Sequence, residues 1–117
     1  MIAQKYRFHG LGSLRFAYGK GQTVRTQQLA IKYALNQRRS CFRVAVVVSK
    51  KVNKTAVVRN KIRRKLYEAM RSQQPHIVKP YDIIITVFSE VVAEIPQSEL
   101  EKTLKTLLEK TGIISSR

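Results

Sequence analysis

The residues best suited to chemistry lie in the stretch 56–71, AVVRNKIRRKLYEAMR, where basic and apolar side chains recur at helical spacing. Glu68 is the only acid in this stretch, so a helix here cannot neutralise its own charge through ion pairs. One side of the helix would be apolar, with Val58, Ile62, Leu66, Ala69 and Met70. The opposite side would carry a row of polar and aromatic groups flanked by further bases: Asn60, Arg64, Tyr67 and Arg71, with Arg59, Arg63, Lys61 and Lys65 beside them. The pattern predicts an amphipathic helix that packs on a core and presents a cationic surface to a polyanion.

The net charge of the chain is +16, and the excess is confined to the first two-thirds of the sequence. Residues 1–75 hold 18 lysines and arginines against one acid, whereas residues 76–117 hold five against six. Self-repulsion of this size destabilises a compact chain, which favours an anionic partner over a role in solubility alone. Nucleic acid is the first interpretation, and an anionic membrane surface is the main alternative.

The inventory of catalytic groups is small. A metal-dependent nuclease holds its ions with clustered carboxylates, but this sequence has one aspartate, Asp82, and six scattered glutamates. A metal-free nuclease needs acid–base groups, and the two histidines, His9 and His76, lie in predicted loops. No phosphate-binding glycine loop is present, and the single cysteine, Cys41, excludes an internal disulfide and a cysteine-based zinc site. We therefore predict neither a catalytic site nor a metal site in this chain by itself.

The length of 117 residues predicts a single domain spanning 1–117. Residues 1–12 have no hydrophobic period and contain basic side chains, so we expect a flexible basic arm. No apolar run approaches the roughly 20 residues that a membrane-spanning helix requires, and the N-terminus lacks the apolar stretch of a signal peptide. These features predict a soluble, cytoplasmic protein.

The elements that must position the basic stretch begin with a short helix at 14–20, which Ser13 can cap. Residues 29–35 alternate with period two, and residues 42–48 are rich in β-branched side chains, so both stretches predict strands. The polar turn NQRRS between them predicts an antiparallel hairpin. The run 45–48 is apolar on both faces, which predicts a central strand.

A basic loop at 49–54 leads into the helix, whose predicted N-cap is Thr55. Pro75 and Pro80 break regular structure before a buried strand at 81–88. A strand on each side of the helix favours a βαβ crossover, and the predicted fold class is α/β, a small mixed sheet packed by helices.

A leucine-rich helix closes the chain. Ser98 and Glu101 match a capping box at its start, and Gly112 is its predicted end. Its packing stripe comprises Leu100, Leu104, Leu107, Leu108 and Thr111. The glutamates on this helix predict a structural role and not contact with nucleic acid.

The run SKKVNKTAVVRNKIRRKLYEAM resembles the signature of the bacterial ribonuclease P protein subunit. The matching positions are Ser49-Lys50-Lys51, Arg59-Asn60-Lys61, Arg63-Arg64 and Glu68. Leu14, Ala17, Tyr18 and Gly21 also look like the apolar, aromatic and glycine pattern of the family's first helix. The resemblance extends over most of the chain.

The resemblance implies a two-layer α/β sandwich with a left-handed βαβ crossover. It also implies an RNA-binding subunit that assists a large catalytic RNA in cutting the 5′ leader from precursor tRNA. In such a complex the RNA supplies the active site and binds the magnesium, which agrees with the absence of clustered carboxylates here. The implied partners are the catalytic RNA and precursor tRNA, with no membrane and no required protein oligomer. A structural RNA-binding protein of the ribosome is the alternative, and an autonomous nuclease is a weaker one.

The resemblance also assigns residues. Contacts with the catalytic RNA would come from the basic helix and the loop before it: Arg59, Asn60, Lys61, Arg63, Arg64, Tyr67, Arg71, Lys50 and Lys51. A cleft formed by the first helix and the sheet would hold the leader through Tyr18, Phe16, Leu14 and Lys32. Four positions depart from the family pattern. Lys61 replaces an arginine, Leu14 and Lys32 stand where aromatics are frequent, and Tyr67 stands where arginine is frequent.

Overall fold

The computed structural model describes residues 21–38 and 40–114. Its strands and helices are β1 Gln22–Arg25, β2 Leu29–Leu35, β3 Arg43–Val48, α1 Ala56–Gln73, β4 Tyr81–Val87 and α2 Gln97–Thr111. Short 3₁₀ segments at Gln74–His76 and Glu90–Glu94 follow α1 and β4. The predicted arm at 1–12 and the predicted helix at 14–20 lie outside the described residues.

The four strands form one mixed sheet in the order β1-β2-β4-β3. β2 pairs antiparallel with both β1 and β4, and β3 pairs parallel with β4. The predicted hairpin of β2 and β3 is therefore wrong, because β4 lies between them. The connection from β2 crosses the start of β4, where the Asn36 amide donates to the Pro80 carbonyl at 2.9 Å. The polar turn after β2 indicated that the chain reverses there. It did not indicate which strand pairs with β2.

The interior strands of the sheet are β2 and β4, and β3 is not one of them. Ile83, Ile84 and Ile85 are all fully buried, whereas β3 has a neighbour on one side only among the described strands. The prediction that 45–48 forms a central strand is wrong because an apolar run reports burial of the two faces of a strand. It does not report hydrogen bonding at the two edges.

The strand–helix–strand unit β3–α1–β4 confirms the predicted βαβ crossover, since β3 and β4 are parallel and α1 joins them. The predicted α/β class, a small mixed sheet packed by helices, is likewise confirmed. The core lies between one face of the sheet and the two helices. Alternate strand residues such as Ile31, Val46 and Ile85 meet Leu66 of α1 and Leu104 of α2 in this core.

The two ends of α2 differ in how well the sequence predicted them. Gly112 ends the helix in the left-handed region, at φ 81°, and its amide donates to Glu109 at 3.2 Å. The predicted capping box is wrong, because Pro96 holds the N-cap position and no side-chain bond caps the helix. Ser98 lies inside the first turn, where its hydroxyl cannot act as the cap.

The carboxylate of Asp82, in β4, binds side chains from β3 and from the residue that follows β2. Its two carboxylate oxygens accept from Nε and Nη2 of Arg43, each at 2.9 Å, and the aspartate is fully buried. The side-chain amide of Asn36 donates to the same carboxylate at 3.0 Å. A buried charge of this kind is stable only when it is paired and hydrogen-bonded, and here β3 and the end of β2 supply both partners.

Candidate nucleic-acid interface

The side chain of Asn53, in the loop 49–54, makes several contacts at the start of α1. Its Oδ1 accepts from the backbone amide of Thr55 at 2.8 Å and from the Thr55 hydroxyl at 2.7 Å. Its Nδ2 donates to Oε2 of Glu90 at 2.8 Å. Thr55 does hold the predicted N-cap position, but its hydroxyl makes no cap bond to the helix and turns back to the loop instead.

Arg59 fastens the loop from the helix side. Its Nη1 donates to the carbonyls of Asn53 at 3.1 Å and of Lys54 at 3.0 Å, and the residue is half-buried. A guanidinium has five N–H donors, so these two bonds leave the rest of the fork available to a phosphate. The loop that carries Lys50 and Lys51, both exposed, is thereby held against the first turns of α1.

The exposed side of α1 carries the cationic groups that the sequence predicted. Asn60, Lys61 and Arg64 are exposed. Arg63 is half-buried, and its Nη1 donates to Oδ1 of Asn60 at 2.5 Å, which orients that amide. Within the described part of the chain, neither Lys61 nor Arg64 forms an ion pair. Arg71, in the last turn of α1, pairs with Glu68 at 3.4 Å.

One groove adjoins this surface. It has a volume of about 330 Å³ and lies between the loop, α1 and the 3₁₀ segment Glu90–Glu94. Asn53 and Lys61 line one side, and Glu90 and Glu94 line the other. Carboxylates at this border repel phosphates, so the groove marks an edge of the surface that suits a polyanion.

The sequence matches the family model described as Ribonuclease P over residues 2–112. The chain is 32% identical over 114 residues to the ribonuclease P protein component of Pseudanabaena sp., covering 97% of each protein. It is 29% identical over 115 residues to that of Oceanobacillus iheyensis, covering 98% of this chain and 93% of the relative. The solved structure of the Staphylococcus aureus RNase P protein is similar to it with a TM-score of 0.82 at 26% identity, over 94% of this chain and 98% of that chain.

The chain belongs to the ribonuclease P protein family. It is therefore the protein component of the complex that processes tRNA by endonucleolytic cleavage, and ribonuclease P RNA is its partner. The resemblance noted from the basic motif is confirmed, and so is the α/β fold that it implied. The hand of the crossover and the role of each site residue stay predictions.

Tyr67 of this ribonuclease P protein does not lie where the helical pattern placed it. Only 7% of the residue is exposed, and it belongs to the hydrophobic core with Leu66 and Met70. Its placement in the exposed row beside Asn60 and Arg64 is wrong. Tyr67 lies near the border between the polar and apolar sides of α1. From that position its long aromatic side chain can reach the core. Tyr67 is accordingly omitted from the proposed RNA-binding surface.

The Lys65 side chain forms hydrogen bonds within the protein that stabilise the fold. Its Nζ donates to the carbonyl of Ala93 at 3.2 Å and to that of Ile95, while Gln97 donates to the Lys65 carbonyl at 2.9 Å. Burial lowers the pKa of the Lys65 ammonium, repulsion from Lys61 lowers it further, and Glu94 acts in the opposite direction. These contacts tie α1 to the segment that leads into α2, so the positive charge of Lys65 has a structural role.

The predicted leader-binding residues Tyr18, Phe16 and Leu14 lie outside the described residues. Lys32 is described: it is half-buried on β2, opposite Ile84 of β4 and Thr23 of β1. Because side chains alternate along a strand and Ile31 faces the helices, Lys32 lies on the other face of the sheet. That face is the one on which the predicted cleft would form.

Two further properties concern metal and membrane. Across residues 21–38 and 40–114, no three His, Cys, Asp or Glu side chains are grouped so that they could hold a metal ion. The described residues therefore offer no such ligand group, and the assignment of magnesium to the RNA stays a prediction. None of the described helices is both long and apolar enough to cross a membrane.

Asn53 is the contact residue that sequence reasoning missed. The available signal was its spacing: an asparagine two residues before a threonine at a helix start is typical of an Asx turn, in which the side chain accepts from the backbone. The partnership with Glu90 has no such signal, because 37 residues separate the two side chains.

Proposed function

We propose that this ribonuclease P protein binds the catalytic RNA through the exposed side of α1 and the loop 49–54, which together form the basic surface. This surface comprises Lys50, Lys51, Arg59, Asn60, Lys61, Arg63, Arg64 and Arg71. The observation that carries the proposal is the pair Lys61 and Arg64, exposed on a helix whose other side is fixed in the core. Neither side chain forms an ion pair with an acid of the described residues. Guanidinium and ammonium groups on a fixed frame hold phosphates without reordering the protein.

In the proposed mechanism the protein supplies no catalytic group. It screens the phosphates of the folded RNA and so stabilises the RNA and the magnesium sites that the RNA forms. The same face of the sheet that carries Lys32 would hold the single-stranded leader of precursor tRNA, with Tyr18, Phe16 and Leu14 as its other predicted contacts. A monomer acting in the cytoplasm is sufficient for this role.

Reconstitution tests the proposal. Precursor tRNA is incubated at low magnesium with the catalytic RNA alone, with the protein alone, and with both. We expect cleavage that releases the 5′ leader only when both are present, since protein cations replace part of the magnesium that would otherwise screen the RNA.

The possible outcomes distinguish the candidate functions. Failure of the protein to stimulate cleavage by the catalytic RNA would contradict the proposed function. Cleavage by the protein alone would favour an autonomous nuclease. Binding to ribosomal RNA with no effect on cleavage would favour the alternative of a ribosomal RNA-binding protein.

A further inference from the structure

Asn53 and Glu90 form a clamp at the base of the loop 49–54, and the basic surface depends on that loop. The clamp consists of four hydrogen bonds around one residue: Asn53 Nδ2 to Glu90, Asn53 Oδ1 from the amide and hydroxyl of Thr55, and the Asn53 carbonyl from Arg59. It joins the loop, the first turn of α1 and the 3₁₀ segment after β4.

The orientation of the Asn53 amide is set by Glu90. An amide side chain has a donor end and an acceptor end, and it satisfies Thr55 only when its oxygen points to the start of α1. The carboxylate of Glu90 accepts and does not donate, so it binds the nitrogen end and excludes the flipped orientation.

Glu90 is exposed and sits in the groove beside Lys61, at the border of the basic surface. A carboxylate in that position weakens phosphate binding by repulsion. Its contact with Asn53 provides a physical reason for its presence, because the acid orders the loop that carries Lys50 and Lys51.

We propose that Asn53, oriented by Glu90, is a positioning residue that presents Lys50 and Lys51 to the RNA. This inference rests on the proposed function, because it assumes that the loop binds RNA. Ordering two long side chains and their loop before binding removes an entropic cost from the binding step. Loss of the clamp therefore weakens RNA binding without removing any cation.

The test reverses the donor and the acceptor of the hydrogen bond between residues 53 and 90. In Asn53→Asp, one oxygen still accepts from Thr55 but the other faces the carboxylate of Glu90. In the double variant Asn53→Asp with Glu90→Gln, the glutamine amide donates to the aspartate, so the bond is restored with opposite polarity. The double variant also keeps the formal net charge of the unsubstituted chain. Asn53→Ala removes the three side-chain bonds of the clamp with no change of charge.

Two measurements are made on each variant of the full chain. The affinity for the catalytic RNA is expected to fall roughly tenfold in Asn53→Ala and Asn53→Asp and to recover to within about twofold in the double variant. Limited trypsin digestion without RNA reports the loop directly, since Lys50, Lys51 and Lys54 are cleavage sites. Cleavage there is expected to accelerate in the two single Asn53 variants and to slow again in the double variant.

The outcomes separate the two proposals. A double variant that binds RNA no better than Asn53→Asp, or an Asn53→Ala protein that binds like the unsubstituted one, would overturn the positioning role. Faster trypsin cleavage with unchanged RNA affinity would also overturn it, because the clamp would then order a loop that RNA does not use. Failure of the unsubstituted protein to bind the catalytic RNA would instead refute the proposed function, and the positioning role with it.

Discussion

The helices α1 and α2 are both amphipathic, but the charge of their outer sides differs. Each buries its apolar side in the same core, and Ile62, Leu66, Leu100 and Leu104 are all fully buried. α1 carries six lysines and arginines against one glutamate, whereas α2 carries three against three. The apolar sides therefore place both helices in one core, while only α1 carries an excess of positive charge.

A second contrast lies within α1 itself. Lys61 is exposed beside the groove, whereas Lys65, one turn later, bonds to the carbonyls of Ala93 and Ile95. The same residue type thus serves as a candidate RNA contact at one position and as a link to α2 at the next. Counting bases on a helix overestimates its RNA-binding surface unless the backbone carbonyls within reach are known.

The largest effect is expected where the two helices are alike. Leu66→Ala in α1 and Leu104→Ala in α2 should each lower the free energy of unfolding by about 2–5 kcal/mol, because each leaves a cavity in the shared core. Urea denaturation measures both losses. Lys105→Ala, on the exposed side of α2, is the control and should change stability by less than about 0.5 kcal/mol. A cost well below about 1 kcal/mol for either leucine would show that its helix is not anchored by its apolar side.

A smaller effect separates the two lysines of α1. Lys65→Ala should lower the free energy of unfolding by about 1–2 kcal/mol, since it removes charged donors from two backbone carbonyls. Lys61→Ala should leave stability nearly unchanged and weaken binding to the catalytic RNA. Thermal unfolding and RNA titration of the two variants check the pair. The reverse assignment of the two losses would contradict the division of roles along α1.

Sequence periodicity predicted the elements better than their arrangement. The bounds of β2 were predicted to the residue, and those of α1 to within two residues, because strong apolar periods mark which segments are buried. The sheet order was not predicted, since pairing of β2 with β4 depends on contacts between residues about 50 positions apart, such as Ile31 with Ile85. The function was predicted from the family resemblance, because hydrophobic periodicity carries no information about function.

The candidate site was predicted in outline and missed in detail. The residue types and spacing of 56–71 indicated the exposed cations, and Lys61 and Arg64 are indeed exposed. Tyr67 and Lys65 were placed by helical angle alone, which cannot tell whether a long side chain at the border turns to the core or to a neighbouring carbonyl. Asn53 was missed because its partner Glu90 comes from another part of the chain.

The salt dependence of RNA binding tests the central claim that the outer side of α1, and not that of α2, faces the RNA. The affinity of the catalytic RNA for Arg64→Ala and for the matched Lys105→Ala is measured across a series of salt concentrations. For Arg64→Ala we expect the slope of log affinity against log salt to fall by about 0.7–0.9, the share of one phosphate contact, and for Lys105→Ala we expect no change. An unchanged slope in Arg64→Ala, or an equal fall in Lys105→Ala, would contradict the account.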